Sequence, residues 1–170
     1  MFIKNKKIIF SLVLLALSAC SISYKFNGAT IDYSKTKSIS IAEFTNIAEL
    51  VYAPLTIEFT DKLRDVYTKN TRLQILKKNG DLQLEGEIVE YTLTPMAISA
   101  DTYATQTKLT VTINVRFVNN SNQNENFEKR YSAFQTFDSN QMLNNVQDEL
   151  IKLIIADITD NIFNDTVAQW

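Results

Sequence analysis

Between Leu109 and Phe117 every second residue is apolar, and this alternation is the strongest constraint on how the chain folds. Side chains of a β-strand point alternately to its two faces, so the pattern predicts a strand with one buried face and one polar face. A sheet of such strands needs a cover on its apolar side only. The segment therefore predicts a strand in the body of a sheet that is covered on one face.

Other segments supply partners for this strand. Apolar residues also alternate from Leu82 to Leu93, but the phase slips after Ile88, which predicts a β-bulge near Ile88-Val89. The segment from Phe127 to Phe137 follows a polar turn and predicts an antiparallel partner. Shorter runs at 37–44 and 73–76 predict two further strands.

Two helices complete the pattern. The first begins near Pro54 and ends at 70–71, with an apolar face of Leu55, Phe59, Leu63, Val66 and Tyr67. The second covers about 25 residues after a cap at Ser139 or Asn140. Its predicted apolar face is Leu143, Val146, Leu150, Leu153, Ile154, Ile158, Ile162 and Val167. The fold class predicted is α+β, with two helices packed on one face of a mixed, mostly antiparallel sheet of four or possibly five strands.

The N-terminus has the features of an export signal. Lys4, Lys6 and Lys7 precede the apolar run Ile8–Leu17, which at ten residues is about half the length that a transmembrane helix needs. Cys20, the only cysteine, follows Leu17-Ser18-Ala19. This arrangement resembles the lipobox of bacterial lipoproteins, which implies cleavage before Cys20 and acylation of its sulfur and its new amine. The alternative is ordinary cleavage that leaves Cys20 as a free thiol.

The expected organisation is a signal peptide over 1–19, a lipidated tether over 20–36 and a single α+β domain over 37–170. The signal holds three lysines and no acid, so the remaining 14 basic and 19 acidic residues give the mature chain a charge of −5. This balance argues against a nucleic-acid-binding protein, which needs a strongly basic face. With one cysteine, the domain forms no internal disulfide and depends on its core.

The composition also excludes most catalytic sites. The chain has no histidine, so it contains no Ser-His-Asp or Cys-His site and no histidine-ligated metal site. Three scattered glycines do not make a phosphate-binding loop. Glu85, Glu87 and Glu90 remain as a candidate acid/base set, but carboxylates spaced by two on a strand are typical of a solvated surface. No catalytic residue, cofactor or metal is therefore predicted.

Several segments together resemble a divergent branch of the LptE family, the lipopolysaccharide-assembly lipoproteins. They are Tyr24–Ala29, Gly80–Ile88, Leu109–Phe117 and the closing stretch from Asp160 to Trp170, in this order behind the lipobox. The resemblance covers essentially the whole mature chain. It implies a non-enzymatic outer-membrane lipoprotein that plugs a large β-barrel, LptD, and helps it insert lipopolysaccharide into the outer leaflet.

The same resemblance gives the expected location and partners. The acyl chains on Cys20 would anchor the protein in the outer membrane, facing the periplasm and the barrel lumen. No acidic residue lies in Ser21–Tyr24, which favours the periplasmic leaflet over surface export. The expected partners are the LptD-type barrel and lipopolysaccharide.

The polar face of the sheet is the candidate contact surface. A hairpin turn centred on Asn122 places Arg116 opposite Glu128 and Asn114 opposite Arg130. Lys108, Arg116 and Arg130 are then the cations that could meet phosphorylated sugars or a barrel wall. The alternative is a cross-strand Arg116–Glu128 pair on a solvated surface.

Charge also differs along the chain: residues 62–78 carry a local +5 and residues 140–170 a local −4. These two segments could attract each other, or could orient the protein within a barrel. Three functions remain open: a barrel plug, a periplasmic lipoprotein that binds another lipid or ligand, and a carboxylate-dependent enzyme. A carrier should enclose an apolar cavity, and an enzyme should bring carboxylates together in a cleft.

Overall fold

The computed structural model describes residues 31–96 and 105–167. Six strands and two α-helices follow one another in this part of the chain. They are β1 Ser38–Ile41, β2 Thr45–Asn46, α1 Leu55–Asn70, β3 Gln74–Leu76, β4 Leu82–Pro95, β5 Gln106–Asn119, β6 Phe127–Asp138 and α2 Leu143–Val167. The predicted signal peptide 1–19, Cys20 and the predicted tether up to residue 30 lie outside the described residues.

All six strands belong to one mixed sheet in the order β3-β1-β4-β5-β6, with β2 beside β4. The three long strands β4, β5 and β6 pair antiparallel, whereas the short β1 runs parallel to both β3 and β4. This confirms the predicted fold class. The sheet has one strand more than the upper expectation because the two-residue β2 pairs with Glu87 and Ile88 of β4.

The predicted bulge lies in β4, where the register with β5 shifts between Ile88 and Glu90. The extra residue keeps the apolar residues on one side: Ile88 before the bulge and Tyr91 after it are both buried. The register between β5 and β6 is also as predicted. Arg116 lies opposite Glu128 and Asn114 opposite Arg130.

Both helices pack on the apolar side of the sheet and contact each other. All five residues predicted for the apolar face of α1 are buried. The Tyr67 hydroxyl of α1 is hydrogen-bonded to the hydroxyl of Thr166 on α2, and the Tyr67 ring packs edge-on against Phe163. These contacts join the C-terminal turns of the two helices.

Two details predicted for α2 are wrong. Leu153 is 48% exposed, whereas Ile151 and Ile155 are buried; the other residues predicted for this face are buried or pack against the core. The helix begins at Leu143, and neither Ser139 nor Asn140 caps it. Ser139 and Asn140 belong to the turn that follows β6. The Ser139 hydroxyl is hydrogen-bonded to the hydroxyl of Thr107 on β5.

Candidate contact surface

We call the side of β4, β5 and β6 that points away from the helices the open face. Strand alternation and the observed register place polar and charged side chains on it in three parallel rows. The rows are Glu85, Glu87, Glu90 and Thr92 from β4, Lys108, Thr110, Thr112, Asn114 and Arg116 from β5, and Glu128, Arg130, Ser132 and Phe134 from β6. The structure thus brings the three predicted contact residues together on one surface.

Arg116 is engaged by the protein itself. Its guanidinium lies 2.6 Å from Glu85 on β4 and 3.5 Å from Glu128 on β6. The hydrogen bond to Glu85 and the nearby charge of Glu128 raise the pKa of Arg116 above its usual value. A hydrogen bond from Asn114, together with the charge of Arg116, lowers the pKa of Glu128. Arg116 therefore links three strands through two partly exposed carboxylates.

Lys108 and Arg130 have no carboxylate partner within the described residues. The Lys108 ammonium lies 5.3 Å from the ring centre of Phe134, a cation–π distance, and Phe134 is 55% exposed. Arg130 is exposed at the edge of the sheet. The three cations of the open face are accompanied by four glutamates, so the face as a whole is polar rather than basic.

Two of the three glutamates considered as an acid/base set, Glu85 and Glu90, bind neighbouring side chains of the sheet. Glu90 accepts hydrogen bonds from the hydroxyls of Thr112 and Thr92, and Thr112 also reaches Ser132 on β6. Glu85 holds Arg116. Among residues 31–96 and 105–167, no group of carboxylates and thiols is placed to hold a metal ion. The arrangement supports the surface interpretation of these residues.

A cleft of about 510 Å³ lies at the end of the sheet where the chain enters the fold. Ile31, Leu82 and Val167 contribute apolar surface, while Asp32, Lys35, Asn119 and Glu125 are among its polar walls. The odd-numbered residues of β5 from Leu109 to Val115 are completely buried beneath the helices. This cleft is not the enclosed apolar cavity that a lipid carrier needs.

The two oppositely charged segments do not pair with each other in the described chain. Lys69 pairs with Asp65 of its own helix, and Arg64 donates to the carbonyl of Ile41. In the acidic segment, Asp165 of α2 forms an ion pair with Lys129 at 2.6 Å and accepts a hydrogen bond from the Tyr131 hydroxyl at 2.8 Å. Both partners belong to β6. Mutual attraction through direct ion pairs is therefore not observed between these segments.

Sequence reasoning missed an apolar surface between β2 and α1. Ile47, Leu50, Val51 and Ile57 are each at least half exposed. Ile47, Leu50 and Val51 are spaced i, i+3 and i+4, as on one face of a helix, but three residues shortly before Pro54 are too few to predict a helix. This short run of large apolar residues was the signal that the sequence offered.

Comparison with known proteins places these features in context. A family model described as "LptE: Lipopolysaccharide-assembly" matches residues 36–166. The comparison with curated proteins gave no match. Among solved structures, a protein described as a homologue of neuraminyllactose-binding hemagglutinin from Helicobacter pylori is 8% identical, with a TM-score of 0.53 over 76% of this chain and 82% of its own. That likeness shows a shared fold alone.

Two further structures are similar at lower scores. A minor lipoprotein from Acinetobacter baumannii is 16% identical, with a TM-score of 0.48 over 75% of this chain and 89% of its own. The PelC dodecamer from Paraburkholderia phytofirmans is 11% identical, with a TM-score of 0.48 over 80% of this chain and 90% of its own.

Proposed function

Because this chain belongs to the LptE family of lipopolysaccharide-assembly proteins, we propose that it plugs and supports an LptD-type barrel at the outer membrane. In this role the protein is a non-enzymatic assembly factor. It would occupy the barrel lumen and take part in the delivery of lipopolysaccharide to the cell surface.

The observation that carries the proposal is the asymmetry of the sheet. One face is closed by α1 and α2 over a buried apolar core, while the open face presents polar side chains along three strands of 12 to 14 residues. A carrier would need interior space, whereas a plug needs a rigid body with a broad polar surface. The open face fits the wall of a water-filled lumen, which is itself polar.

Lys108 and Arg130 are the best candidates for contact with an anionic lipid or with the barrel. Both are on the open face and neither is held by a carboxylate in the described structure. Arg116, on the same face, is bound to Glu85 and Glu128. We therefore propose that Arg116 orders the surface and that Lys108 and Arg130 supply the available positive charge.

Anchoring would come from acyl chains on Cys20. None of the described helices is long and apolar enough to cross a membrane. One acyl chain binds a bilayer only weakly, whereas several on one residue anchor a protein stably. We propose that these chains hold the domain at the periplasmic leaflet of the outer membrane.

The test is co-purification of the full, lipidated chain from detergent-extracted outer membranes through a C-terminal tag. The proposal expects a large, heat-modifiable barrel protein at equal stoichiometry. The Cys20→Ala chain serves as a control for membrane placement. Recovery of the lipidated chain alone, without a barrel and with a bound small lipid, would support the carrier function instead and reject the plug.

A further inference from the structure

Strand β6 is the long edge of the sheet. Among the described residues it pairs with β5 on one side only, over 12 residues and without a register shift. Exposed edges usually carry charges, prolines or bulges that prevent pairing with other chains. From Tyr131 to Phe137, however, β6 contains no charged residue, proline or glycine. This half of the strand is open to the addition of another strand.

The alternation of backbone hydrogen bonds shows which amide and carbonyl groups of β6 are available to a partner. The amide of Ser139, just after β6, donates to the carbonyl of Thr105, which precedes β5. In an antiparallel ladder, bonded pairs alternate, so odd-numbered residues of β6 bond to β5. The amide and carbonyl groups of Ser132, Phe134 and Thr136 therefore point outward at the free edge.

A groove of about 480 Å³ runs beside this edge, between β6 and α2. It is lined by Ser132, Ala133, Phe134, Asp157, Asp160 and Asn161. The side chains of Asp157 and Asp160 are exposed and make no ion pair or hydrogen bond with any described residue. A strand added to β6 would pass over these two carboxylates.

We propose that the β6 edge binds an extended, basic segment of a partner protein by strand addition. The backbone of the segment would bond to the outward groups of Ser132, Phe134 and Thr136. Every second side chain would point towards α2, where lysine or arginine would meet Asp157 and Asp160. Side chains on the other face would pack beside the exposed ring of Phe134.

A second copy of this chain fits the edge poorly. Antiparallel pairing of two β6 edges about a two-fold axis would place both α2 helices on the same side of the joined sheet. Asp157 and Asp160 of each copy would then face those of the other. Like charges so placed oppose association, so charge complementarity favours a basic partner. Strand addition at the β6 edge does not require a barrel.

The probe is a labelled, capped heptapeptide of alternating lysine and valine, titrated by fluorescence anisotropy against the full lipidated chain in detergent. We expect it to bind, and the same peptide with glutamate for lysine not to bind. Asp157→Asn/Asp160→Asn should weaken binding about tenfold. Glu87→Gln/Glu149→Gln changes the net charge equally outside the groove and should leave binding unchanged.

Two further comparisons test the backbone contact. Ser132→Pro removes one outward N–H without removing a bond to β5, so it should abolish binding while Ser132→Ala binds normally. One peptide is N-methylated on its valines and a second on its lysines. Because backbone N–H groups of alternate residues point to opposite edges of a strand, and only one edge faces β6, one of the two peptides should lose binding. Equal binding of the lysine and glutamate peptides, or binding that survives Ser132→Pro and both methylations, overturns the proposal. So does concentration-dependent dimerisation of the parent that Ser132→Pro abolishes.

Discussion

The guanidinium of Arg116 lies 2.6 Å from the carboxylate of Glu85 on the neighbouring strand β4, closer than its 3.5 Å distance to Glu128, which lies directly opposite on β6. Arg116 is thus shared by two carboxylates on both sides of β5. The charge of Arg116 stabilises the arrangement of the open face, whereas the charges of Lys108 and Arg130 are available to a partner.

Charge reversal at these two residues tests the open face. Lys108→Glu/Arg130→Glu should fold normally, since neither side chain is in the core, and should weaken binding to lipopolysaccharide or to the barrel. This loss of binding should become smaller as the salt concentration rises, because exposed charges are screened within ~8 Å at physiological ionic strength. Binding is measured by titration with lipopolysaccharide and by recovery of the barrel.

The matched control is Lys62→Glu/Arg72→Glu, which reverses two exposed cations on α1 and just before β3. Neither has an ion pair in the described part of the chain. If this control loses binding while the open-face variant keeps it, the contact surface has been assigned to the wrong side of the molecule.

The pairing across the open face illustrates what sequence patterns can determine. The Arg116–Glu128 register followed from a polar turn between two alternating strands, which fixes every cross-strand pair at once. The pairing of Arg116 with Glu85, its closer partner, could not be predicted, because strand patterns alone do not give the register between two strands joined by a long loop. The cations and the Glu128 partner of Arg116 were therefore predicted in the right place, whereas its second partner, Glu85, was not.

The face of α2 shows a second limit. Leu153 lies three residues after Leu150, so helical spacing admits it to the same stripe. The structure instead buries Ile151 and Ile155, one residue and five residues after Leu150. Where apolar residues outnumber the positions of one face, packing against the sheet and α1 decides which of them are covered.

Substitutions in α2 should separate the two faces. Ile155→Ala should reduce the free energy of unfolding by about 2–5 kcal/mol, because it leaves a cavity in the core. Leu153→Ala should change it by only about 0.5 kcal/mol, as is usual at exposed sites. Chemical denaturation of the two variants measures both values, and equal losses would mean that α2 packs on a different face.

Gly86 should tolerate no side chain. A Cβ at this position would overlap the backbone carbonyl of Asn114 and lie 2.7 Å from the ring of Phe44. Gly86→Ala should therefore reduce the free energy of unfolding by about 1–3 kcal/mol. Adding Phe44→Leu should not recover this loss, since the closer overlap is with backbone; full recovery in the double variant would show that the ring alone restricts the site.

Cys20→Ala tests the anchor. Because Cys20 is the only candidate for acylation, the variant should remain uncleaved or be released from washed outer membranes. Fractionation and mass spectrometry of the N-terminus measure both results. Correctly processed Cys20→Ala chain that stays in the outer membrane would contradict lipidation at this residue.

Two aspartates should make the domain sensitive to acid. Asp81 accepts hydrogen bonds from the amides of Lys37 and Ser38 and from the Ser38 hydroxyl, and the Lys37 amide is the main cause that lowers its pKa from the usual 3.8. Burial acts to raise the pKa of Asp165, but the hydrogen bonds from Lys129 and Tyr131 outweigh it and leave that pKa lowered as well. These residues join β1 to the start of β4, and β6 to α2.

A carboxylate whose folded pKa is lowered stabilises the fold fully above its unfolded pKa, and this contribution disappears as the pH falls through the folded pKa. The denaturant concentration at the unfolding midpoint should therefore be nearly constant above about pH 5. It should decrease once the pH falls below 3.8, the usual pKa of an aspartate. Asp81→Asn should unfold at lower denaturant concentration at neutral pH and lose less on acidification. Glu87→Gln, which removes an exposed carboxylate on β4, is the matched control and should unfold at the same denaturant concentration as the parent at neutral pH. An Asp81→Asn curve that stays parallel to the parent curve down to pH 3 would show that the charge of Asp81 does not stabilise the fold.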